Sequence, residues 1–170
     1  MQLSRNERLV LANQYRILKA LVPEEAEYYD KALKIVESGF ESEYENLAQN
    51  VYSVTLSRDE CTEVRKILGM YSDLGYGYGQ LSDKSGIEPY SVTFPGFDGN
   101  NEGAYLDFAE FIKEDPSMYH GVEVKNSHGP FLESMRRMLV EWEKCENRTP
   151  LTRVDILAIT SAAVHPSNRK

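Results

Sequence analysis

A chain of 170 residues is long enough to bury a real core within one domain. Acidic residues outnumber basic ones by 27 to 19, and the net charge of −8 argues against direct nucleic acid binding. No apolar signal region follows Met1–Arg5 and no membrane-length apolar run occurs, so a cytoplasmic protein with no membrane contact is expected.

Ser4 and Glu7 form a capping box that opens a first helix running to about Leu21. Leu11, Tyr15, Leu18 and Val22 make one stripe, widened by Val10, Ile17 and Leu21. So broad an apolar face suits burial against several neighbours. Asn13 and Gln14 interrupt it, as a surface face, an interhelical hydrogen bond or a ligand contact. Pro23 starts a second helix, and Glu24, Glu25 and Glu27 favour its positive end. Tyr29, Leu33 and Val36 mark its buried face, and Gly39 stops it. A third, shorter helix is expected over about residues 41–50.

Ser57 and Glu60 form a second capping box, and the helix they open carries Cys61, Val64, Leu68 and Tyr71 on one stripe. Gly75-Tyr76-Gly77-Tyr78-Gly79 matches neither phosphate-binding glycine pattern and follows a helix instead of a strand. The helix is expected either to fray there or to pack closely against another backbone. Cys61 and Cys145 lack CxxC spacing and are read as two buried thiols; no metal or cofactor motif is found.

The centre of the chain is Val92 to Glu102. Val92, Thr93 and Phe94 favour an extended segment, and Pro95-Gly96 fits the middle of a type II turn. Phe97 brings a second ring back, and Asp98, Asn100 or Asn101 can cap the next helix, about Glu102 to Lys113. Two readings stand: a loop pinned into the core by its Phe side chains, or a turn that shapes a pocket with Asp98 facing a ligand. A loop from Asp115 to Pro130 carries His120 and His128. Leu132, Met135, Leu139 and Trp142 stripe the sixth helix. Thr152 and Asp155 cap the seventh with a variant capping box.

The expected architecture is all-α: a single compact domain over residues 1–165 with about seven helices, a short extended segment near Val92–Phe94 and a disordered tail at 166–170. Leu11, Leu18, Leu68, Phe108, Leu139 and Trp142 are its expected core.

Several stretches together resemble the YfbU family of bacterial proteins. They are Arg8-Leu9 and Asn13-Gln14-Tyr15, then Val92-Thr93-Phe94 and Gly96-Phe97-Asp98, then His128, Arg137-Met138-Leu139 with Trp142, and Leu151-Thr152. The resemblance implies an all-helical domain for which no activity is firmly assigned. Some members join it to a small DNA-binding domain, which implies a ligand- or partner-sensing role.

The expected function is therefore a regulatory protein that binds a small ligand or a protein partner. Its candidate site comprises Asn13, Gln14, Phe94, Gly96, Phe97, Asp98, Glu102 and His128. The alternatives are an enzyme using Asp98, Glu102 or His128 as acid–base groups, and a structural subunit of a larger assembly. A homo-oligomer, in the form of a symmetric dimer, is expected from the eleven Tyr and the breadth of the first helix's apolar face.

Overall fold

The computed structural model describes residues 1–51, 55–145, 150–165 and 167. Seven α-helices and no strand occur among the described residues, which is the all-α class expected. The chain divides into two compact units, Met1–Thr55 and Leu56–Lys170. Of the tail expected to be disordered, only Ser167 falls within the described residues.

The first unit is a helical hairpin of α1 (Arg5–Leu21) and α2 (Ala26–Ser38). Ser4 and Glu7 cap α1 reciprocally, and Gly39 ends α2 in the left-handed conformation at φ 73°. Ala12 and Tyr15 of α1 pack with Tyr29, Ala32 and Val36 of α2. Lys19 and Arg16 extend to Asp30 and Glu37 of α2, so these α1 cations are spent on its own hairpin partner. The stripe expected to be buried is only partly so. Tyr15 is buried and Leu11 and Val22 are half-buried, but Leu18 is 38% exposed, Val10 56%, Ile17 59% and Leu21 72%. One neighbour covers one face of α1, and the broad stripe exceeds it. The third helix is shorter than expected: a 3-10 turn, Glu41–Glu43, then α3 (Tyr44–Leu47), with no side-chain cap to extend it.

In the second unit α4 (Arg58–Gln80) is the axle. Val64, Ile67, Leu68, Met70 and Leu74 are fully buried, and α5 (Gly103–Lys113), α6 (Leu132–Trp142) and α7 (Arg153–Ala162) all pack on it. The helix continues through its glycines. A Cβ at Gly77 would lie 3.1 Å from both Cβ and the carbonyl oxygen of Leu151, so this glycine admits a close backbone approach. Leu139 and Trp142 are buried as expected, with the indole N–H donating to Asp73 at 3.1 Å. Phe108 is half-buried instead of central, because it lies between the Arg65 guanidinium and the exposed Phe111 ring. Cys61 and Cys145 are free thiols, each half-buried.

Candidate functional site

The central motif folds as a knot. Pro89–Val92 is a 3-10 turn, and the chain extends from Thr93. Gly96 has φ +102°, the sign a type II turn needs, but the Phe97 amide donates to Lys125 O (3.2 Å) instead of closing that turn. Phe97 O accepts from Ser127 N at 3.0 Å, giving a single parallel bridge between Phe97 and Asn126. Phe94 and Phe97 are buried edge to face, 5.2 Å apart, and Phe97 meets the Tyr105 ring at 5.5 Å.

Asp98 does not cap α5. Its Oδ1 accepts from Asn100 N at 3.0 Å and its Oδ2 from Asn101 Nδ2 at 2.5 Å, an Asx turn closing the tip. These bonds, first Asn101 and then Asn100, hold its carboxyl below the usual range for aspartate; the positive potential of His128 adds a smaller effect. Glu102 is buried, and each of its oxygens accepts a backbone amide: Oε2 from Asp98 at 2.9 Å, Oε1 from Leu132 at 3.1 Å. The second bond satisfies the first amide of α6, which has no side-chain cap of its own. Asn126 Oδ1 accepts from Gly99 N (3.1 Å) and His128 N (2.9 Å). His128 is exposed with φ 53°.

Phe94, Gly96, Phe97, Asp98 and Glu102 thus come together in one knot of the second unit, with His128 on the segment bonded to it. Asn13 and Gln14 belong to the first unit, on the exposed side of α1, where Asn13 Oδ1 accepts from Arg16.

Beyond the knot, Tyr105 carries the arrangement to α4 and α6. Its hydroxyl donates to Glu63 Oε2 at 2.7 Å. Arg136 grips the same carboxylate with both edges of its fork, Nε to Oε1 at 2.8 Å and Nη2 to Oε2 at 2.9 Å. The guanidinium holds the Glu63 carboxyl below the usual range, while burial and then the Glu63 bond push the Tyr105 phenol above its ordinary value. Glu63 and Arg136 form part of the wall of a groove of about 400 Å3 between α4 and α6. Asp59, Lys66 and Glu143 line it too, with Leu139 and Val140 supplying its apolar part. Lys66 pairs with Glu143 at 2.5 Å across it, and Val140 is 56% exposed.

Glu63 and Arg136 are 73 residues apart, so no local spacing could have joined them. Among the described residues there is no group of three or more His, Cys, Asp or Glu placed to hold a metal ion. Among the same residues no helix is long and apolar enough to cross a membrane.

Fold and site define an all-α domain in which the buried carboxylates of Asp98 and Glu102 are occupied by the turn and helix start around them, while Glu63 and Arg136 line an open groove. Residues 1–162 match the YfbU domain, and the chain belongs to the YfbU family. It is 38% identical over 171 residues to a UPF0304 protein of Methanocaldococcus jannaschii, covering 94% of this chain and 99% of that one. To a UPF0304 protein of Histophilus somni it is 31% identical over 169 residues, covering 95% and 100%. UPF0304 proteins carry no assigned catalytic or specific function.

Proposed function

We propose that this chain is a non-catalytic binding domain of regulatory type, acting in the cytoplasm, that receives a cationic amphipathic helix of a protein partner in the α4–α6 groove. The observation that carries the reading is the lining of that groove. Asp59, Glu63 and Glu143 outnumber Lys66 and Arg136, both cations are already paired with carboxylates, and Val140 is left open beside them. Such a surface favours a positively charged segment that also buries an apolar side chain. The knot then serves as scaffold: Phe94, Gly96, Phe97, Asp98 and Glu102 hold Tyr105 and the start of α6. Acid–base catalysis by Asp98 and Glu102 finds less support, because their oxygens already accept the amides and the Asn101 side chain around them.

The test is calorimetric titration with a synthetic Leu/Lys amphipathic helix and with its Leu/Glu counterpart. The cationic peptide is expected to bind, more weakly as salt rises, and to be lost in Val140→Lys, an exposed position where the fold tolerates the change. Equal affinity for both peptides, or binding untouched by Val140→Lys, would overturn the reading.

A further inference from the structure

The first unit holds a cavity of about 610 Å3 where the end of α2 comes near the start of α1. Every residue that lines it belongs to that unit. Gln2 and Arg8 reach it from the start of the chain, Ser38, Gly39, Glu41 and Tyr44 from the end of α2 and the turn that follows.

Two of these side chains hold bonding capacity that the protein does not use. Tyr44 is only 4% exposed, yet its hydroxyl bonds to no other side chain or backbone group among the described residues. A buried hydroxyl without a partner is a cost to the fold, and such a group marks the place of a partner still to come. Arg8 is half-buried, and its Nη1 donates to Val36 O at 3.2 Å, which fixes the guanidinium in place. Its Nε and Nη2 form the edge that grips an oxyanion with two parallel bonds. Among the described residues neither nitrogen is bonded and no carboxylate pairs with Arg8. The two donors converge. A Cβ built on Gly39 would lie 2.8 Å from Arg8 Nη1 and 3.6 Å from Tyr44 Oη. The left-handed turn at φ 73° keeps glycine there, so the space beside both donors stays open.

We propose that this cavity binds phosphate, as the free ion or as the head of a small ester. The donor set selects an anion. Arg8 brings a fixed positive charge, and Tyr44, Ser38 and Gln2 add neutral donors along the same walls. Glu7, one residue before Arg8, is turned onto the Ser4 amide at 2.8 Å and its hydroxyl at 2.6 Å. Arg5, one turn earlier on α1, makes no ion pair among the described residues and lines with Arg8 an adjoining cleft of about 210 Å3. The start of α1 is thus locally positive in a chain of net charge −8. Donors from separate points of the wall suit the tetrahedral oxygens of phosphate better than the two coplanar oxygens of a carboxylate. The site lies in the other unit from the α4–α6 groove, and the two proposals fail separately.

Calorimetric titration of the full chain with inorganic phosphate, glycerol 3-phosphate and acetate tests it, in phosphate-free buffer of low ionic strength. Saturable binding of inorganic phosphate is expected, with acetate weaker by at least about fivefold, the equivalent of one hydrogen bond. Glycerol 3-phosphate binding more tightly than phosphate assigns a small ester; equal or weaker binding assigns the free ion. Tyr44→Phe keeps the ring and removes only the unpartnered hydroxyl. It should weaken phosphate by at least about fivefold while the phosphate-free melting temperature stays level or rises. Arg8→Gln should abolish binding, and Lys34→Gln, an exposed cation on α2, should leave it unchanged. No saturable phosphate binding would overturn the proposal. So would acetate equal to phosphate, binding indifferent to Tyr44→Phe, or a loss in Lys34→Gln as large as in Arg8→Gln.

Discussion

Gly96→Ala is the most direct perturbation of the knot. At φ +102° an L side chain is strained, which costs about 1–2 kcal/mol. The new Cβ would also lie 2.2 Å from the Lys125 carbonyl oxygen and 3.0 Å from Ser127 N, both backbone atoms that cannot swing aside. Relief requires the two segments to separate. That breaks Phe97 N→Lys125 O and Ser127 N→Phe97 O, worth about 0.5–1.5 kcal/mol each. Together the expected loss is about 2–5 kcal/mol, a large part of the ~5–15 kcal/mol of an ordinary domain. Urea unfolding followed by Trp142 fluorescence reads it, since this single tryptophan is buried in the same unit as the knot. With a slope of ~1–3 kcal/mol per molar urea, the midpoint should fall by at least about 0.7 M. Gly121→Ala is the control. Its φ is +76° but a Cβ there meets nothing within 4 Å, so it carries strain alone. If Gly96→Ala costs no more than Gly121→Ala, the close approach to Lys125 does not hold the knot together.

In α4, Gly79→Ala should raise the melting temperature, by up to ~1 kcal/mol of helix propensity into open space. Gly77→Ala should lower it, because its Cβ meets Leu151 at 3.1 Å; calorimetric scans of the pair should give opposite signs. Glu102→Gln replaces one acceptor by a donor facing a backbone amide and should cost about 1–3 kcal/mol in urea unfolding, with faster hydrogen exchange at Leu132. Asp98→Asn should be nearly silent in the same assay, since the Asn101 side-chain amide can turn its oxygen toward the new donor. Stability should also fall in acid through Glu63. Its folded pKa lies below the unfolded value near 4.5, so its contribution is complete above that value and is lost as pH falls through the folded one. Urea midpoints taken from pH 6 to about pH 3 should show this slope, and Glu63→Gln should flatten it.

What the sequence made legible was local. Ser4 with Glu7, Ser57 with Glu60 and Thr152 with Asp155 all close as capping boxes, because that chemistry spans only three residues. The positive φ of Gly96 was legible for the same reason. Burial was legible only where an element's partner surrounds it. In α6 the stripe of Met135, Leu139 and Trp142 meets the core. In α1 the stripe is just as regular, yet Val10, Ile17 and Leu21 remain exposed, because periodicity marks an apolar face without naming what covers it. Asp98 shows a different limit. An aspartate shortly before a helix suits a cap and an Asx turn equally, and only the position of the Asn100 amide decides. The bond from Gly99 to Asn126 and the Glu63–Arg136 pair gave no local signal, since each joins segments far apart in the chain.

The knot and the groove are physically one arrangement. Gly96 lets the chain reach Lys125, which seats the Phe97 ring against Phe94 and Tyr105. Tyr105 is thereby held where its hydroxyl meets Glu63, and Glu63 holds the Arg136 fork. From the other side, Glu102 ties the turn before α5 to the first amide of α6, one turn ahead of Arg136. Two links from the start of α5 therefore fix the start of α6, one through a buried carboxylate and one through a phenol. Neither link places Phe97, Asp98 or Glu102 on the groove wall. A residue can thus set the shape of that wall without being part of it, which is how the most distinctive stretch of this sequence can govern a surface it does not line.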